Sequence, residues 1–267
     1  MSSTVLYERD GRVAIITLNR PERMNTMGDD LPERALEALE RAADDADVWA
    51  VILTGAGRAF CAGGDLGAMA EGKTARERAT SSDQGRVEHL RRMMRSSQLL
   101  HEMPKVTIAA INGACAGAGL SWACACDLRY AAASAKFNVA FRNAGLSGDF
   151  GGTWTLPRIV GPAKARELYL LSPRFDAGVA ERLGLVSEVF PDGELMARVR
   201  AVADDVVRSA PVAVRQMKAN LNDALRLSFT ELLDREAARH IAAARTEDHK
   251  EAARAFLEKR APKFQNR

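Results

Sequence analysis

The sequence predicts an α/β fold in which a mainly parallel sheet is covered by helices and followed by a helical C-terminal region. Three observations carry this reading. Two nearly all-apolar runs, Val48–Thr54 and Lys105–Asn112, have the character of strands buried on both faces. Each is followed by a Gly/Ala-rich turn, the second of which opens a short apolar helix, so that strand, turn and helix recur. From Asp192 onward every segment has helical spacing.

Taken in order, the chain opens with alternating runs at Thr4–Glu8 and Val13–Leu18. Between them stands Asp10-Gly11, a strong hairpin signal. Asp29–Ala46 is predicted helical, with Leu31, Ala35, Leu36, Leu39, Ala42 and Ala43 at helical spacing. The strand Val48–Thr54 ends at Gly55; a Gly/Ala loop and a polar stretch lead to a second helix, Arg86–Glu102. After Lys105–Asn112 come the helix Gly119–Cys126 and two short strands, Asp127–Ala132 and Ser187–Phe190. Four helices, Glu194–Ser209, Pro211–Leu225, Thr230–Ala244 and Asp248–Lys259, finish the chain, separated by Ser, Pro or Thr. The expected organisation is a sheet-containing core at 1–191 and a helical region at 192–267.

The 267 residues are 47% hydrophobic and 27% charged with a formal net charge of +3, ordinary values for a globular protein. No basic block argues for nucleic acid as a partner, although a mild positive balance suits a polyanionic ligand. No stretch approaches ~18 uncharged apolar residues, and the N-terminus lacks the pattern of a signal peptide, so a cytoplasmic protein without membrane association is expected. Cys61, Cys115, Cys124 and Cys126 sit in or beside apolar segments, Cys124-x-Cys126 is too short for a zinc pair, and the four histidines are scattered. Reduced, buried thiols and no metal are expected.

The chemistry lies in the two turns, Ala59–Leu66 and Asn112–Leu120. Small residues let backbone approach a ligand, and a helix start leaves N–H groups unpaired. Two such groups converging on one oxygen would make an oxyanion hole; the plainer alternative is tight packing of helix on sheet. Gly117-Ala118-Gly119 imitates a dinucleotide fingerprint, but its sixth position is Trp122, too large for close helix–strand packing. Gly67–Thr74 matches the P-loop pattern, yet no buried strand precedes it and a polar stretch follows, so nucleotide binding is not predicted.

Several ordered motifs resemble the crotonase (enoyl-CoA hydratase/isomerase) superfamily along nearly the whole chain. They are Leu18-Asn19-Arg20-Pro21 with Met24-Asn25, AVILTGAGRAFCAGGDL, KVTIAAINGACAGAGLSWACACDLR, GDFGGTWTLPRIVG, AERLGLVSEV and AFLEKRAPKF. The resemblance implies a crotonase-like spiral of ββα turns forming two sheets, with C-terminal helices used for trimerisation as a homotrimer or dimer of trimers. It implies an acyl-CoA thioester substrate, coenzyme A being part of the substrate and no separate cofactor being needed. The oxyanion hole would be the N–H groups of Gly64 and Ala118. The loop Phe60–Leu66, including Ala62, Asp65 and Leu66, would line the coenzyme A path beside Met24, and Lys263 and Phe264 would reach coenzyme A on a neighbouring subunit.

The departures from the family pattern concern proton transfer. Hydratases of this family carry two glutamates that grip one water; this sequence has Ser121 and Phe141 there. A phenyl ring transfers no proton, and a serine without a partner is a poor base. Asp149 resembles the catalytic acid of the Δ3,Δ2-enoyl-CoA isomerases and of the ring-epoxyphenylacetyl-CoA isomerase, and flanking Phe150 and Trp154 are expected to shield it from water. The resemblance therefore points to an isomerase. The alternatives are a hydratase using Asp149 and a fixed water, or a non-catalytic acyl-CoA-binding member. On the residues alone Asp149 could instead cap the helix starting at Gly151–Gly152. Trp122 is either core or acyl-pocket wall, and Asp65 and Asp127 have the setting of structural carboxylates.

Overall fold

The computed structural model describes residues 3–71 and 82–267, so Gly72, Lys73 and Thr74 of the P-loop-like match lie outside the described residues. β1 (Val5–Asp10) and β2 (Val13–Leu18) form the expected antiparallel hairpin, Asp10 opposite Val13, with Gly11 in the turn at φ +60°. β2 pairs in parallel with β3 (Ala50–Gly55), after which the chain turns into β4 (Ala59–Cys61). The same step recurs from β5 (Val106–Ile111) to β6 (Ala114–Ala116) and from β7 (Leu128–Ala132) to β8 (Lys136–Asn138). β9 (Phe175–Asp176) and β10 (Glu188–Phe190) complete two sheets. The larger has the order β1-β2-β3-β5-β7-β10 and is parallel beyond the hairpin; the smaller is β4-β6-β8-β9, with β8 and β9 antiparallel.

Each turn of this spiral therefore gives one strand to each sheet and then a helix. The sequence exposes the strands of the larger sheet but not β4, β6, β8 and β9 of the smaller one, whose two or three residues are too few to show a period.

The long strands bury both faces. Val51 and Leu53 of β3 join the main core with Leu31, Leu39, Phe60, Ile111 and Phe137, while Ala50 and Ile52 point the other way with Val13 and Ile108. That second face is covered by Leu195, Val199 and Ala203 of the helix Leu195–Val207. The first helix after residue 191 thus packs on the core sheet rather than standing apart from it. The expected helix Arg86–Glu102 is two helices, Asp83–Met93 and Arg95–Glu102, that meet at Met94.

The next helix, Pro211–Ala224, is tied down by Lys218, which is buried. Its Nζ donates to the carbonyls of Leu100 and Lys105 and to Asp127 Oδ2 at 2.8 Å. Asp127 also accepts from the N–H and hydroxyl of Thr107, a structural role as expected. The last two helices, Phe229–Ala244 and Glu247–Leu257, leave large apolar side chains in solvent, Phe229 at 76% and Phe256 at 84% exposure. No helix among the described residues is long and apolar enough to cross a membrane.

Candidate active site

A cavity of about 970 Å³ opens beside the small sheet, and both Gly/Ala turns line it. Gly63 has φ +92°, and a Cβ there would lie 2.9 Å from the carbonyl oxygen of Ala116. Gly117, at φ +52°, precedes the helix Ala118–Ala125, and a Cβ on it would lie 3.7 Å from Gly63 Cα. The two turns therefore touch through backbone, in conformations that favour glycine. Neither the Gly64 nor the Ala118 N–H is donated to an acceptor among the described residues. For Ala118 this follows from its place at the first helical position.

The segment before the first helix holds that turn. Met24 and Asn25 both have positive φ, at 52° and 54°. Buried Asn25 fixes them by donating to the carbonyls of Ala56 and Ala59 and accepting from the Arg20 N–H. Met24 then accepts from the Ala62 N–H, and Met27 donates to Gly63 at 2.8 Å. Met24, Ala62 and Leu66 line the cavity. Asp65 does not: its carboxylate caps the helix Leu66–Ala70 at Ala68 (3.1 Å) and faces Arg20 and Arg23, so its role is structural.

The stretch from Phe141 to Phe150 also lines the cavity, with Phe141 Cε1 4.0 Å from where a Cβ on Gly117 would lie. Gly148, Phe150 and Gly151 all have positive φ, and this coiled loop brings Asp149 to the cavity with its Oδ1 buried. The helix Gly152–Val160 that follows has Gly151 as its N-cap and no side-chain cap, so the capping role weighed for Asp149 is not realised. Asp149 acts electrostatically on the first turn: burial pushes the Cys61 thiol up to about 12, and the Asp149 charge adds to that rise. The other carboxylates on the cavity are otherwise placed. Asp29 pairs with Arg20 at 2.5 Å, Asp176 caps the helix Ala177–Arg182, and Glu33 faces His89.

Phe141 lines the cavity and stacks on Tyr169, with ring centroids 6.2 Å apart. Phe150 meets Trp122 edge-on at 5.6 Å. Trp122 itself is core: fully buried, it donates to Ser96 at 2.9 Å and does not reach the cavity. Trp154 is not on the cavity lining; it packs against His101, with the Arg158 guanidinium over its ring. Lys263 and Phe264 lie away from this chain's cavity, in a tail whose backbone is held by Glu251 and Asp248.

Sequence reasoning missed Tyr169, on the helix Pro162–Leu171. Burial raises its phenol well above the ordinary value; the charges of Cys124 and Asp149 add to the rise, and a hydrogen bond with Ser121 opposes it. No local pattern marks this tyrosine, since its partners are 48 and 20 residues away in the chain (Ser121 and Asp149).

The sequence profile of the enoyl-CoA hydratase/isomerase family matches residues 8–267. The chain belongs to the enoyl-CoA hydratase/isomerase family. A short-chain-enoyl-CoA hydratase of Clostridium acetobutylicum is 35% identical over 259 residues, covering 97% of this chain and 96% of that protein. The 1,2-epoxyphenylacetyl-CoA isomerase of Escherichia coli is 35% identical over 265 residues, covering 99% of each. The crystal structure of an enoyl-CoA hydratase from Bacillus anthracis superposes with a TM-score of 0.90 at 31% identity, covering 99% of this chain and 100% of that one. The two sheets and spiral order described above are thus those of the crotonase fold, and the family is one of acyl-CoA enzymes whose named members include both hydratases and isomerases.

Proposed function

We propose that this chain shifts a double bond in an unsaturated acyl-CoA, taking a proton from C2 and returning it at C4. One observation supports the reading: the cavity that both Gly/Ala turns line also holds Asp149, while Ser121 and Phe141 occupy the two positions at which the family resemblance would put the hydratase glutamates. The Gly64 and Ala118 N–H groups receive the thioester oxygen as it gains charge in the enolate. Asp149 moves the proton, and buried Phe150 beside it limits access of water. Hydration needs a positioned water and two proton-handling groups; a 1,3-shift needs one.

Coenzyme A enters as part of the substrate, along Met24, Ala62 and Leu66. Assembly as a homotrimer or dimer of trimers would cover exposed Met217, Leu221, Phe229 and Phe256 and bring Lys263 and Phe264 to a neighbour's coenzyme A.

The test is to incubate the protein with a 3-enoyl-CoA and follow the conjugated 2-enoyl thioester by its ultraviolet absorbance. Asp149→Asn is expected to lower the rate by about 10²–10⁴ while saturated acyl-CoA still binds. Rapid hydration of a 2-enoyl-CoA that survives Asp149→Asn would replace this reading with that of a hydratase. Binding without turnover across the substrate panel would leave a non-catalytic acyl-CoA binder.

A further inference from the structure

The cavity has one wall that the chemistry above does not use. Glu33, in the first turn of the helix Leu31–Asp44, and His89, in the last turns of the helix Asp83–Met93, both line it. Their neighbours on the lining are apolar: Met27, Pro32, Met69, Leu90 and Met93. His89 Nε2 stands 3.5 Å from Glu33 Oε1. Glu33 Oε2 is buried and accepts no hydrogen bond among the described residues.

Of the nearby charged groups, Asp29 pairs with Arg20, and Arg86, one turn before His89, has Nη1 3.6 Å from Asp83 and a buried Nε that meets no acceptor, Glu33 included, among the described residues. A buried carboxylate oxygen without a donor is disfavoured and calls for one. A purely hydrocarbon ligand would seal this oxygen off unsatisfied; a ligand carrying a donor would complete it.

We propose that Glu33, oriented by His89, is the acceptor for a hydrogen-bond donor carried by the thioester ligand. This rests on the reading of the cavity as an acyl-CoA site and adds the substrate class to it. The donor is a hydroxyl on the acyl chain or an amide N–H of the pantetheine arm, and both present the same O–H or N–H to Glu33 Oε2. No proton is transferred and no bond is broken. His89 is a positioning residue, because its contact is with Glu33.

Calorimetry with thioesters that cannot react tests the proposal apart from catalysis. The ligands are hexanoyl-CoA and octanoyl-CoA, each beside its ω-hydroxy counterpart, and free coenzyme A. With the hydroxyl as donor, the ω-hydroxy member of one pair binds the unsubstituted protein about tenfold tighter or better, the scale of one hydrogen bond to a charged group, and Glu33→Leu removes the difference.

With the pantetheine amide as donor, Glu33→Leu weakens all five ligands by a similar factor, coenzyme A included. Either result supports Glu33 as acceptor and identifies the source. Glu33→Gln, which keeps the volume and drops the charge, moves the same way by less and serves if the leucine variant fails to fold by circular dichroism. His89→Gln, which keeps a donor toward Glu33, retains more of the preference than His89→Leu does. Affinities that stay within about twofold in folded Glu33 variants overturn the proposal. Failure of the isomerase reading is separate: it would appear as no shift of a 3-enoyl-CoA while this binding order persists.

Discussion

The hydroxyl groups of Ser121 and Tyr169 meet over Gly152, where an added Cβ would lie 2.4 Å from the first and 2.5 Å from the second. The contact fills the space beside the Asp149 loop with two hydroxyls rather than a carboxylate, and joins the helices Ala118–Ala125, Gly152–Val160 and Pro162–Leu171 at one point.

Gly152→Ala is therefore expected to destabilise the protein by about 1–3 kcal/mol through overpacking. Combining it with Ser121→Ala and Tyr169→Phe should recover most of the loss. Urea unfolding of the single and combined variants checks this, and strictly additive costs would show that the hydroxyls do not confine the position.

A methyl group at position 63 should harm the reaction more than binding. Gly63→Ala must place a side chain at φ +92° against the Ala116 carbonyl, displacing the neighbouring Gly64 N–H. Loss of one oxyanion donor typically lowers kcat by about 10²–10³. Steady-state isomerisation set beside calorimetry of a saturated acyl-CoA separates the two effects; an equal loss in both would argue against a donor used mainly in the transition state.

Lys218→Ala strands Asp127, with the carbonyls of Leu100 and Lys105 also losing their donor. Removing one partner of a buried pair costs about 3–5 kcal/mol. Chemical denaturation should register that loss. A cost below about 1 kcal/mol would mean that the pair behaves as an exposed one.

Alkaline stability follows from the four buried thiols. Burial pushes Cys61 and Cys126 up to about 12 and Cys124 to about 11, and raises Cys115 well above the ordinary value of 9.0. Between those limits the unfolded chain releases protons that the folded chain keeps. The thiol contribution to stability is thus complete below pH 9 and is lost as pH rises toward 11–12. The slope is at most roughly 1.4 kcal/mol per pH unit for each thiol. Denaturation curves measured from pH 8 upward should show the decline, less steep in Cys61→Ala; an unchanged slope in that variant would rule its thiol out.

Much of this was legible in the sequence because the signals are local. The hairpin at Asp10-Gly11, the two-faced strands β3 and β5 and the C-terminal helices declare themselves by turn chemistry and period. Gly64, Ala118, Phe141 and Asp149 stand on one cavity, where their motifs led one to look. What stayed hidden depends on distance. β4, β6, β8 and β9 are only two or three residues long and take their stability from pairing with one another. Tyr169 meets Phe141 and Ser121, and Glu33 meets His89, only because the fold brings together elements far apart in the chain. Asp65 and Trp122 stand beside the right motifs but point into the scaffold, because a side chain's direction is set by packing that neighbouring letters do not encode.

Touching glycine turns have a consequence for how such a protein can change. An N–H group carries no side-chain identity, so most substitutions nearby would leave the donors proposed for the thioester intact while altering what surrounds them. Positions 121, 141 and 149 can then vary without dismantling activation. A library randomised at those three codons would explore new outcomes for one enolate, and the glycines at 63 and 117 are the places where diversity should be withheld.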